Sequence, residues 1–142
     1  MDKQKVAREL VRLARELTAA DVFTDWDEVD DEMSRSGWEL TTTGSPASLN
    51  ATWAKPIATG FGKIPYLAVV DRDGTAELRL SAANNKSWRE LYKQVGGSMA
   101  AEIEDDLRVV IRAKDARELV KKAAREFITA RRYMAEVFEQ LD

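Results

Sequence analysis

The chain has 142 residues, of which 44% are apolar and 33% charged, with seven Gly, three Pro and a net charge of −3. That length suits a single domain of roughly 100–150 residues, and the composition is too apolar for disorder and too charged for a membrane protein. There is no Cys and no His, which excludes disulfides, thiolate chemistry, Ser–His and Cys–His catalysis, and zinc sites built on His or Cys.

Residues 3–18 predict an amphipathic helix. Val6, Leu10, Leu13 and Leu17 recur at steps of four, three and four, while Lys5, Arg8, Arg12 and Arg15 form a stripe on another face. A short helix is expected at about 25–35, with Thr24 as N-cap, acids in its first turns and Gly37 at the C′ position. The pattern then changes to period two. Trp38, Leu40 and Thr42 predict a strand, Gly44-Ser45-Pro46 a turn, and Leu49, Ala51 and Trp53 a second strand ending before Pro56. Residues 58–63 read as a glycine-bearing loop. Tyr66 to Val70 is a nearly continuous apolar strand, and Arg72-Asp73-Gly74 predicts a three-residue hairpin loop leading into the alternation Ala76, Leu78, Leu80.

Ser87-Trp88-Arg89-Glu90 has the form of a capping box, opening a helix that stops at Gly96-Gly97. Residues 98–105 suit a further helical turn or two, and residues 107–112 a last strand. Asp115 and Glu118 then open a helix running to Leu141. Its apolar positions Ala116, Val120, Ala123, Phe127, Ala130, Met134, Val137 and Leu141 keep a 4-3-4-3 spacing for nearly four heptads. The order of elements predicts a single α+β domain: a two-layer, largely antiparallel sheet of about five strands, helices on one face, and a long C-terminal helix. About 27 helical residues span roughly 40 Å. Such a helix either crosses the whole sheet or projects and needs a partner.

Charge is unevenly spread, with −7 in residues 19–50 and small positive excesses elsewhere. The acids from Asp25 to Glu32 lie along one short helix, so they read as a solvated face complementing its dipole and not as a cation cage. Asp71-Arg72-Asp73-Gly74 lacks the remaining ligands of a calcium loop, and Gly60-Phe61-Gly62-Lys63 lacks the spacing of a phosphate loop. Trp26, Trp38, Trp53 and Trp88 all fall on the apolar phase of their elements and read as core. No metal, cofactor or catalytic residue is expected. Residues 1–18 hold no apolar signal core and no apolar run approaches bilayer length, so a cytoplasmic protein without a membrane partner is expected.

The heptad seam carries the functional expectation. The first helix, at about 16 residues, is too short to cover it, so Phe127, Met134, Val137 and Leu141 are the expected contacts with a second copy or another protein. The alternative is a nucleic-acid-associated protein using Lys5, Arg8, Arg12, Arg15, Lys121, Arg125 and Arg132. The opening stretch Lys5-Val6-Ala7-Arg8-Glu9-Leu10-Val11-Arg12-Leu13-Ala14-Arg15-Glu16-Leu17-Thr18-Ala19 resembles the amphipathic N-terminal stretches of small bacteriophage-encoded proteins. The resemblance covers about a tenth of the chain. It implies a virus-encoded accessory or structural protein, with the virion as a further possible location, and brings no catalytic residue. The expected role is therefore a non-enzymatic interaction or assembly protein.

Overall fold

The computed structural model describes residues 2–9, 21–43, 50–81 and 85–141. Residues 3–9 form a solvent-exposed helix, α1, and its predicted continuation through Leu10, Leu13 and Leu17 lies outside the described residues. The remaining elements are α2 (Trp26–Arg35), β1 (Glu39–Thr43), β2 (Asn50–Thr59), β3 (Gly62–Asp71), β4 (Thr75–Leu80), α3 (Lys86–Val95), α4 (Gly97–Asp106), β5 (Val109–Arg112) and α5 (Ala116–Leu141). All neighbouring strands are antiparallel, in the order β1-β2-β3-β4-β5. The fold is α+β, with a five-stranded sheet and a long C-terminal helix, as the order of patterns indicates.

One face of the sheet is core. Along β2, β3 and β4 the side chains of Ala51, Trp53, Ile57, Ile64, Tyr66, Ala68, Val70, Ala76, Leu78 and Leu80 are all buried, and their alternates are not. That is the period-two signature of a sheet packed on one side. The helices supply the second layer. α2 buries Trp26, Val29 and Met33, and α3 and α4 add Trp88, Leu91, Ala100 and Ile103. All of these join one contiguous apolar cluster.

α5 runs the length of this face. Its 26 residues span about 39 Å, against roughly 33 Å for the ten-residue strands β2 and β3. At its start, the Asp115 carboxylate accepts from Glu118 N–H (2.8 Å). At its far end, Phe138 stacks on Phe61 in the β2–β3 turn, 5.2 Å between centroids. Between them, Phe127 packs on Trp38 and Tyr66, each at 6.1 Å. The sequence offered two fates for this helix, and it takes the first: it crosses the sheet.

Several local expectations shift by a residue or two, each for a visible reason. The cap of α2 is Asp25, accepting from Asp27 N–H, and not Thr24. The cap of α3 is Asn85, whose side chain accepts from Trp88 N–H (2.8 Å), and not Ser87. On α5 the buried residue in the second turn is Leu119, which the even seam passed over in favour of half-buried Val120. The largest difference is at residues 58–63, read as a loop and found to be the end of a long hairpin, with Thr59 paired to Gly62. Pro56 argued against a continuing strand, yet it faces Pro65 across the ladder. At a non-hydrogen-bonded pair neither missing N–H is needed by the other strand.

The Asp71–Gly74 turn is formed as predicted. Gly74 has φ +95°, and its N–H donates to the Asp71 carbonyl (3.2 Å). Asp73 accepts from both the amide and the hydroxyl of Thr75; these bonds hold its carboxyl below the usual range. This turn is also a junction. The Arg72 carbonyl accepts from Val22 and Phe23 N–H, and the Gly74 carbonyl accepts from Ala113 N–H.

Candidate functional site

The seam residues expected to meet a partner are already in use. Phe127, Met134 and Val137 are buried among the monomer's own sheet and helices, with Met134 only 1% exposed. Because α5 lies along the sheet, these three side chains are covered within the monomer and have little free surface to offer. The expectation that they contact a second chain is corrected on that ground. The side chain of Leu141 lies outside the described residues. The four tryptophans are likewise core, none more than 8% exposed, and the Trp53 indole N–H donates to Asp30 (2.8 Å).

The acidic helix has structural uses for several of its carboxylates. Asp25 caps it, Asp30 holds Trp53 and the Ser34 hydroxyl, and Glu32 pairs with Arg35 at 3.3 Å. Among the described residues no group of three His, Cys, Asp or Glu is arranged to hold a metal ion, and no helix is long and apolar enough to cross a membrane.

The basic residues fall into two sets. Lys5 and Arg8 are exposed on α1, while Arg12 and Arg15 lie outside the described residues. Lys121, Arg125 and Arg132 are exposed on the outer side of α5, where helical geometry puts them within about 40° of arc over some 16 Å. Ile128 stands in the same line, 39% exposed. Glu118 engages Lys114 and Lys122, and no ion pair reaches Lys121, Arg125 or Arg132 among the described residues. Beside them, Ile111, Arg112, Lys122, Arg125 and Glu126 line an open cleft of about 280 Å³, where the Lys122 ammonium donates to the Arg112 carbonyl. Glu126 leans toward Tyr66, whose phenol is raised first by burial and then by that carboxylate.

The surface that sequence reasoning missed is the second face of the sheet. The register sets Glu39, Ala54, Leu67 and Arg79 in one row across β1 to β4, and Thr52, Val69, Glu77 and Val110 in the next across β2 to β5. Every one of these residues is partly or fully exposed, Val110 to 66%, so no described helix covers this face. Leu67 and Val69 form its apolar centre. Glu77 lies 3.7 Å from Arg79 Nε and 3.4 Å from Arg108 Nε, serving both guanidinium groups at once. The signal was in the sequence: a continuous apolar run from Tyr66 to Val70, in a sheet whose described helices lie on one side, must turn half its apolar side chains away from them.

No protein-family model, no curated protein and no solved structure matches the chain. The surfaces are therefore read on their chemistry.

Proposed function

We propose that this is a binding protein without catalysis, an interaction or assembly module. The observation that carries the reading is the sheet face with Leu67, Val69 and Val110, which no described helix covers. Apolar side chains that are not needed to close the core, gathered on one flat surface, fit a surface used for contact. The structural uses found for Asp25, Asp30, Asp73 and Asp115 also favour binding over carboxylate chemistry. A cytoplasmic or virion location and a virus-encoded origin go with this reading, supported by the lack of cysteine and the likeness of the opening stretch.

The test compares wild type with the triple variant Leu67→Thr, Val69→Thr, Val110→Thr at low micromolar concentration, by melting and by binding of a hydrophobic dye. The expected outcome is an unchanged melting temperature with loss of dye binding. A melting point lower by several degrees makes the face a structural one and sinks the reading.

A second reading, association with nucleic acid, is favoured by the exposed line Lys121, Arg125 and Arg132, which has no ion pair among the described residues. Three phosphate contacts give a log–log salt slope of about −3 for duplex DNA. Retention on DNA that is the same for wild type and for Arg125→Glu would remove it.

A further inference from the structure

We propose that this sheet face, which no described helix covers, pairs with the same face of a second copy, about a two-fold axis running along β3. The inference rests on the binding reading above and names its partner. Three observations converge on it.

Where β2 and β3 overlap midway the face is apolar; Lys63 and Asp71 stand at the two ends of β3, and the other charges used here lie at the sides. Ala54, Leu67 and Val69 occupy β2 and β3. Glu39 stands on β1 at one side, and Arg79 and Arg108 stand at the other. A two-fold axis parallel to the central strand exchanges the two sides. It lays the apolar centre on its own copy and brings Glu39 of each chain to the arginine side of the other.

The charges are incomplete in the way this arrangement would complete. Arg79 and Arg108 share the single carboxylate of Glu77, which leaves that side one positive charge in excess. Glu39 is exposed and makes no ion pair among the described residues. Each side holds what the other lacks, and the two-fold forms the pairing twice.

The size also fits. Five strands about 4.8 Å apart and four to ten residues long give a face of roughly 600 Å², somewhat below the ~800 Å² per partner of a standard interface. Aligned stacking of twisted sheets at about −30° is a usual packing. A contact of one patch with itself closes on two copies and does not propagate. The product is a weak, salt-sensitive dimer.

The experiment is sedimentation velocity from 1 to 500 µM at low and high salt. The expected result is a mass moving from one chain of 16.0 kDa toward twice that, more readily at low salt. Glu39→Arg and Arg108→Glu should each weaken association at least fivefold, and the two together should restore it substantially. Leu67→Asp should hold the protein monomeric at an unchanged melting temperature. A wild type monomeric at 500 µM overturns the second copy. So does a dimer indifferent to the charge reversals, or one that the double reversal fails to restore. The dye experiment is read on the monomer, so loss of dye binding in a protein that never dimerises would leave the binding face in place and refute only the choice of partner.

Discussion

Along β3, Ile64, Tyr66, Ala68 and Val70 are buried, while Lys63, Pro65, Leu67 and Val69, one residue out of phase, stay partly or wholly exposed. The two sets share a backbone, a register and nearly the same apolar character. What separates them is the cover. α3 and α5 pack on the first set, within one apolar cluster that also takes in α2 and α4, and no described helix packs on the second. Apolar content alone therefore does not mark core in this chain. Position relative to the helices does, and the side left over is where contact with other molecules has room to occur.

The sharpest way to break this comparison is to place a charge on the inner face. Met134→Asp should destabilise by at least about 4 kcal/mol, because it adds an unpaired buried charge to the loss of a large apolar side chain. Urea unfolding at two protein concentrations checks it. Burial within the monomer requires a loss independent of concentration, and a concentration-dependent loss would put Met134 between chains after all.

Gly74→Val tests the turn that ties β3, β4 and the segment after β5 together. A Cβ there would meet the Ala113 carbonyl oxygen at 2.6 Å and Val22 at 3.0 Å, at φ +95°. Backbone on one side and strain on the other should cost about 2 kcal/mol. A urea midpoint equal to wild type would show that the turn can rearrange without loss.

The smallest effect belongs to the rim of the helical layer. Tyr133 donates its hydroxyl hydrogen to Asp106 (2.8 Å). Desolvation first, and then that bond and the nearby carboxylates, push its pKa from 10.0 up to about 12. The folded state thus holds the proton more tightly than the unfolded chain. The resulting stabilisation is complete below about pH 10 and is lost as pH rises through about 12. Tyr133→Phe should show a shallower loss of stability between pH 9.5 and 11.5 in urea titrations, and an identical slope would count against the Asp106 contact.

Much of the fold was legible because it rests on local rules. The period-two runs, the Arg72-Asp73-Gly74 turn and the heptad-like run after Asp115 are each written within a few neighbouring residues. The β2–β3 extension was not, since the tolerance of Pro56 depends on Pro65 facing it, a fact about register between strands. The candidate site was less legible still. The seam at Phe127, Met134 and Val137 shows that one side of α5 must be covered, but a helix pattern does not say whether its own sheet or another chain does the covering. Leu67 and Val69 were legible only as part of the apolar run from Tyr66 to Val70, and such a run has no side until the helices choose one. Lys55 makes the same point in reverse. It is a charged residue on the inward phase of β2, kept there because its ammonium reaches the Ser36 carbonyl (2.9 Å) and sits 4.4 Å above the Phe127 ring.

The placement of α5 also orders events during synthesis. The sheet is a meander whose strands pair with their predecessors, so β1 to β4 can assemble as they emerge. The element that lies along their inner face is made after all of them. At roughly 5–20 residues per second, the 26 residues of α5 take a further one to five seconds to appear. Through that interval Trp53, Tyr66 and Leu78 lack the helix that lies over their face, and a nascent chain halted before Ala116 would present an apolar surface on both sides of the same sheet.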